Sequence, residues 1–256
     1  MTLLVEDVRK MASPRQRLDV LLVERGLCES TEQARRLVLA GEVRVDGHPA
    51  GKPGVRIDPD LSLELLEKPR YVGRGGLKLE GALAHFGINP TGRTCLDVGA
   101  STGGFTDCLL QHGAERVHAI DVGTNQLVWK IRSDPRVVCR EKFNARHLRL
   151  EHLGEQVSLA VIDVSFISLL TILPPVVQVL EAGGEIVCLV KPQFEAERGE
   201  VGPGGIIRDD AIREKALHKV RDFVAAELGI EWIDHVDSSI AGMDGNREYL
   251  AWLQNR

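Results

Sequence analysis

The sequence predicts an α/β protein: a doubly wound, mostly parallel, seven-stranded sheet preceded by a small α+β module. Three observations predict it. Seven apolar, strand-like runs recur between residues 94 and 252 with helical patterns between most of them, the alternation of a crossover-connected parallel sheet. Ahead of them, some fifty residues hold two short helical patterns and a few alternating stretches. A length of 256 residues, 43% hydrophobic and 27% charged, suits one medium domain plus one small one. The expected divisions are a loose arm over 1–14, the small module over 15–67, a basic linker over 68–76 and the large domain over 77–256.

Residues 1–14 carry no periodic pattern. From Arg17 onward Leu18, Leu21 and Leu22 share one helical face, and Gly26 closes that helix. Ser30-Thr31-Glu32-Gln33 predicts a capped start, the Ser hydroxyl and the Gln side chain satisfying two backbone donors. That second helix runs through Ala34, Leu37, Val38 and Ala40 to Gly41. Val43-Arg44-Val45 alternates like a strand, Asp46-Gly47 is a hairpin turn, and Leu61–Leu65 alternates again. Lys68 to Gly76, rich in glycine and arginine, reads as the connection. Beyond it, strands are expected at Thr94–Val98, Arg116–Ile120, Arg136–Cys139, Leu159–Ile162, Glu185–Val190, Trp232–Val236 and Glu248–Trp252. Helices are expected at Thr102–His112, Ser168–Leu180 and Asp209–Leu228. Trp129, Trp232 and Trp252 read as core side chains, and Gly199–Gly205 as a surface connection.

Composition narrows the function. No apolar run reaches the eighteen or so residues of a membrane helix, and no secretory signal is visible at the start. Five scattered cysteines with no C-x-x-C argue against a zinc knuckle or a disulfide framework and fit a reducing cytoplasm. No metal is expected, and a monomer is the default. Net charge is −5, yet residues 130–149 hold seven cations against two acidic groups. An acidic protein can present a basic face, and the face decides what docks there.

The most informative stretch is Cys95-Leu96-Asp97-Val98-Gly99-Ala100-Ser101-Thr102-Gly103-Gly104-Phe105. An apolar strand enters a glycine-rich turn that opens a helix, which puts the turn at the carboxyl edge of the sheet, where ligands bind. Ser101 replaces the second glycine of a dinucleotide fingerprint, and Phe105 stands where a Walker loop needs lysine, so pyrophosphate is disfavoured. The next strand ends in Asp121-Val122, a carboxylate 24 residues after Asp97 that can accept both ribose hydroxyls of a nucleoside. A nucleoside without phosphate in such a fold points to S-adenosylmethionine. Candidate contacts are Asp97, Gly99, Ser101, Thr102, Gly103, Gly104 and Phe105 in the turn, Asp121 and Val122, Asn144 and Ala145 for the adenine edge, and Asp163.

Asp163 and Lys191 each follow a strand and emerge at the same edge, Lys78 lies in the helix before the first strand, and Glu248 opens the last. A lysine enclosed by protein beside a second cation can have its pKa lowered enough to act as base or oriented acceptor, with carboxylates holding it in place. Lys191, fixed beside Asp163, is the candidate for the central role.

These residues resemble the FtsJ-like ribose 2′-O-methyltransferases and their Lys-Asp-Lys-Glu tetrad. Gly73-Arg74-Gly75-Gly76-Leu77-Lys78 matches the first Lys, Ile162-Asp163-Val164-Ser165-Phe166-Ile167-Ser168 the Asp, Val190-Lys191-Pro192-Gln193-Phe194-Glu195 the second Lys, and Gly245-Asn246-Arg247-Glu248 the Glu. The small module resembles the S-four (alpha-L) RNA-binding domain through Arg17-Leu18-Asp19 and the run from Ala34-Arg35-Arg36-Leu37 to Val43-Arg44-Val45-Asp46-Gly47. Together the two modules resemble the TlyA (haemolysin-A-like) family from about residue 15 onward. The resemblance implies a Rossmann-like methyltransferase sheet, S-adenosylmethionine as cofactor, and cytidine 2′-O-methylation of ribosomal RNA or ribosomal subunits. Arg17, Arg35, Arg36, Arg44, Arg70 and Arg74 are the expected phosphate contacts, which fix register rather than read sequence. A membrane-active haemolysin, the rival, needs an insertion segment that does not appear. A non-catalytic RNA-binding assembly factor would leave the tetrad purely structural.

Overall fold

The structure, a computed structural model, describes residues 14–66, 69–242 and 244–256. The expected N-terminal arm, apart from Pro14, and Lys68 lie outside these residues. The chain divides into two units after Pro69.

In the first unit β1 (Gln16–Arg17) leads into α1 (Leu18–Glu24), followed by α2 (Thr31–Leu39), β2 (Val43–Val45), β3 (His48–Pro49), β4 (Arg56–Ile57) and β5 (Leu63–Leu65). Strands β3, β2 and β5 form an antiparallel sheet, and β1 pairs with β4. Local chemistry sets the ends. Ser30 Oγ accepts the Gln33 N–H at 3.2 Å, and Gln33 Oε1 accepts the N–H of Glu29, one residue ahead of the cap, at 2.8 Å. Asp46 and Gly47 take φ of +50° and +75°, the two positive angles of a type I′ hairpin. Leu18, Leu22, Ala34, Val38 and Val43 fill the small core.

The second unit opens with α3 (Gly75–Phe86), β6 (Thr94–Val98), α4 (Gly104–Gln111), β7 (Arg116–Ile120), α5 (Trp129–Arg132) and β8 (Val137–Arg140). It continues with α6 (Leu150–Leu153), β9 (Val157–Ile162), α7 (Leu169–Val177), β10 (Leu180–Val190), α8 (Pro192–Glu195), α9 (Asp210–Phe223), β11 (Glu231–Asp237) and β12 (Tyr249–Gln254). The sheet has the order β11-β12-β10-β9-β6-β7-β8, with β12 running against both neighbours. Both faces are covered. Leu96, Val98, Ile162, Cys188 and Val190 pack into one core, while Cys95, Val117, Val161, Val187 and Leu189 pack into the other. That period of two within continuously apolar strands is what burial on both faces requires. Strand order reverses between β6 and β9, so the carboxyl ends of these two strands flank a switch point, where such sheets bind ligands.

Several boundaries differ from expectation. The stretch expected as a linker is, from Arg70, part of the second unit: Tyr71 is buried, and its ring packs over Gly76, so α3 starts at Gly75. Helix α7 stops at Val177 rather than Leu180, after Pro174 and Pro175, which have no N–H to donate. The residues beyond it enter β10, an eleven-residue strand irregular between Leu180 and Glu185. Helix α9 ends at Phe223, and Val224–Leu228 form a π turn. Trp129 is 77% exposed and is no core residue: α5 is one turn long and buries Ile131 instead.

Candidate active site

The site is built where β6, β7, β9 and β10 end. Asp163 N–H donates to Val98 O at 2.9 Å, which locks the end of β9 to that of β6. A Cβ on Gly99, whose φ is +86°, would lie 2.3 Å from Asp163 O, so the turn approaches β9 as only glycine allows. Asp121 then organises that turn: Oδ2 accepts the Ser101 N–H at 2.8 Å and Oδ1 the Gly123 N–H at 2.6 Å. Beneath it Asp97 is fully buried. Its Oδ2 accepts the Thr106 hydroxyl at 2.6 Å, and its Oδ1 has no hydrogen-bond partner. Burial pushes its pKa up to about 7; the Thr106 bond opposes the rise, and the charges of Asp163 and Asp121 add to it.

A cleft of about 450 Å³ opens over these groups, large enough for a nucleoside. Of the sequence candidates, Gly99, Ser101, Asp121, Val122, Asn144, Ala145 and Asp163 line it. Phe143, in the stretch with Asn144 and Ala145, also lines it, as do Gln126, Arg146, Phe166 and Ile172, which were not expected. Thr102, Gly103, Gly104 and Phe105 do not, nor does the buried Asp97. A Cβ on Gly104 would stand 3.1 Å from both Gly73 O and Gly76 N, and one on Gly73 would stand 2.8 Å from Thr102 Oγ1. These residues seat α4 against α3. Phe105 is buried between the two helices, and Gly103 caps α4 at a φ of +100°. The same glycine-rich turn thus does two jobs, one toward the cleft and one toward a neighbouring helix, and spacing alone does not separate them.

The tetrad arrives as two ion pairs. Lys191 Nζ lies 2.6 Å from Asp163 Oδ1 and donates to Ser165 Oγ at 2.9 Å. Lys78 Nζ donates to Glu248 Oε2 at 2.5 Å, and both of those side chains are buried. Val190 pairs with Tyr249 across β10 and β12, so the register sets Lys191 opposite Glu248, which stands just ahead of β12 rather than in it. A Cβ on Gly75 would lie 3.8 Å from Asp163 Oδ2, so the first turn of α3, which carries Lys78, abuts the other pair. Residues from four separate segments therefore meet here. Ser165 is a partner that reading missed; it lies inside the quoted Asp motif, but nothing local marks it as facing a lysine from another strand.

The arginines fall into two sets. In the first unit Arg17 and Arg35 both bond the buried Asp19, at 2.8 and 2.9 Å, and hold its pKa down at about 2, with Arg17 the larger cause. Their side chains remain 43% and 56% exposed, Arg36 is exposed, and Arg44 donates to Gly47 O. In the second unit Arg70 pairs with Glu80 and lies over the Tyr71 ring, and Arg74 stands exposed at the start of α3. Among the described residues no three His, Cys, Asp or Glu side chains are grouped to hold a metal, and no helix is long and apolar enough to cross a membrane.

Comparison with known proteins agrees with this geometry. A family model described as FtsJ-like methyltransferase matches residues 71–255, and the S4 domain model matches residues 16–62. The 16S/23S rRNA (cytidine-2′-O)-methyltransferase TlyA of Mycobacterium tuberculosis is 47% identical over 94% of this chain and 91% of its own length. Hemolysin A of Brachyspira hyodysenteriae is 46% identical over 92% and 98%. A solved structure from Streptococcus thermophilus that bears a hemolysin label is 49% identical, covers 94% of this chain and 89% of that one, and superposes with a TM-score of 0.72. An S-adenosylmethionine-dependent methyltransferase of Mesorhizobium loti, 15% identical with a TM-score of 0.52 over 71% of this chain and all of that one, shares the fold alone. With the family match covering all four tetrad positions and the S4 domain ahead of it, the chain belongs to the FtsJ-like methyltransferase family, in the TlyA group.

Proposed function

We propose that this protein methylates the 2′-hydroxyl of cytidine in ribosomal RNA, with S-adenosylmethionine as methyl donor. The observation that carries the reading is the Lys191–Asp163 ion pair at a nucleoside-sized cleft that Asp163 lines, with the register of β10 and β12 bringing the buried Lys78–Glu248 pair next to Lys191. The cleft suits the cofactor: Asp121 keeps free lone pairs for ribose hydroxyls, and Val98, Ile120, Phe143 and Ile172 offer apolar walls for a base. When bound, the cofactor supplies an electrophilic methyl group on a sulfonium.

The chain's own residues deal with the acceptor. A ribose hydroxyl is a weak nucleophile, so its oxygen must be oriented and its proton drawn off. Lys191, ion-paired with Asp163 and donating one N–H to Ser165, presents its amine to the 2′-hydroxyl: the amine lone pair takes the hydroxyl proton as the oxygen is methylated and passes it on to water. Lys78 and Glu248 form a buried pair that fixes α3 to the start of β12 and frames that position. The S4 match, the exposed arginines Arg17, Arg35 and Arg36 and the half-buried Arg44 favour RNA over a membrane surface, with Arg70 and Arg74 in the second unit as further phosphate contacts. A ribosomal substrate would place the protein in the cytoplasm. The test is mass spectrometry of nucleosides from ribosomal subunits incubated with enzyme and cofactor. Appearance of 2′-O-methylcytidine supports the assignment, and appearance of a base-methylated nucleoside instead would replace it.

A further inference from the structure

We propose that Glu195 is a positioning residue for Lys191. From the turn after Lys191 it clamps the loop that carries Asp163 and Ser165, and so sets the geometry of the lysine's partners. The inference rests on the catalytic role given to Lys191 above.

Glu195 is 2% exposed. Its Oε2 accepts the Ser168 hydroxyl at 2.5 Å and its Oε1 accepts the Leu169 N–H at 2.7 Å. Lys219 bonds the main-chain oxygen of Glu195, not the carboxylate, and burial raises the carboxyl's pKa. A buried carboxylate whose two oxygens accept only from a hydroxyl and a main-chain N–H is an expensive cap. Helix α7 already has a local one, since Ser168 Oγ accepts the Leu170 N–H at 3.2 Å. What Glu195 adds is a link between two loops. The single turn α8 joins it rigidly to Lys191, with Phe194 N–H on Lys191 O at 2.9 Å. At the other end, Ser168 closes the loop that begins at Asp163 and includes Ser165. Every contact that Lys191 makes to that loop therefore spans the gap this carboxylate closes. A plain helix cap would affect stability and leave Lys191 undisturbed.

The experiment measures methyl transfer to ribosomal subunits by wild type, Glu195→Ala, Glu195→Gln, Ser168→Ala and the Ser168→Ala/Glu195→Ala pair, per folded molecule. Expected for Glu195→Ala is a fall in kcat of about tenfold or more, with cofactor Kd and RNA KM within about twofold. Glu195→Gln, whose amide oxygen still accepts the Leu169 N–H while its NH2 donates to Ser168 Oγ in place of accepting from it, stays within about threefold of wild type, and the double variant is no worse than Glu195→Ala alone. A kcat for Glu195→Ala within about twofold of wild type overturns the proposal. If Glu195→Ala does not fold, Ser168→Ala carries the comparison; a fall of about threefold is expected, and no fall overturns it. Should wild type transfer no methyl at all, the proposed function fails, and the positioning is decided separately by NMR on protein labelled at lysine Nζ. The Lys191 cross-peak, sharp in wild type, is then lost in Glu195→Ala and regained in Glu195→Gln. An unchanged cross-peak in Glu195→Ala overturns the inference.

Discussion

Asp97→Asn should abolish a pH dependence of stability that the buried carboxyl imposes on the second unit. The folded-state pKa of Asp97 is about 7, against an ordinary 3.8, with burial the main cause. Between those values the folded chain holds a proton that the unfolded chain has lost. Stability therefore falls as pH rises across that window and levels off above it. At 1.36 kcal/mol per unit, wild type should lose about 3 kcal/mol between pH 5 and pH 8 through this group. Asparagine keeps an acceptor for Thr106 and carries no charge, so the variant lacks that slope. All three tryptophans, Trp129, Trp232 and Trp252, lie in the second unit, so urea unfolding followed by their fluorescence reports on the domain that contains Asp97. Stability measured at intervals over that range should converge for the two proteins toward pH 5 and diverge toward pH 8, with the variant the more stable. Parallel curves would refute the argument that the carboxyl stays protonated beneath the turn.

Removal of Lys78 as Lys78→Met strands Glu248, which is 3% exposed, and should lower stability by about 3–5 kcal/mol; adding Glu248→Leu should restore most of it without restoring methyl transfer. Urea unfolding and the transfer assay read the two effects separately, and no recovery in the double variant would contradict a simple charge pair. Gly99→Ala places a methyl 2.3 Å from Asp163 O at a positive φ, and should cost about 2 kcal/mol or more and weaken cofactor binding in calorimetry; an unchanged affinity would show that the turn's approach to β9 is dispensable. Arg35→Ala leaves Asp19 with Arg17 as partner, so stability should change little, while RNA affinity falls and the slope of log K against log salt flattens by about one. An unchanged slope removes Arg35 from the interface.

The parts of this protein that sequence reading reached are those written in contiguous residues. Apolar runs such as Thr94–Val98 are buried on both faces and so register as strands without any partner being known. The edge carboxylates Asp121 and Asp163, and the lysine ahead of Pro192, were legible because strand ends fix where their side chains emerge. What stayed hidden depends on pairing across elements. Gly103 and Gly104 look like ligand-binding glycines, but what excludes a side chain at Gly104 is Gly73 and Gly76, about thirty residues earlier. Glu195 and Ser168 are 27 residues apart and meet only because β10 lies beside β9. Trp129 reads as core by residue type, yet a four-residue helix has one buried face and gives it to Ile131.

The central claim is that Lys191 serves methyl transfer to RNA and not the fold alone. Tritiated methyl from S-adenosylmethionine, offered to unmodified small and large ribosomal subunits with wild type and with Lys191→Ala, tests it most directly when cofactor binding by both proteins is confirmed first. Label on RNA with wild type and none with the variant is the result the account predicts, and the labelled subunit names the substrate. Equal labelling by the two proteins, or no label with wild type on either subunit although the cofactor binds, would contradict it.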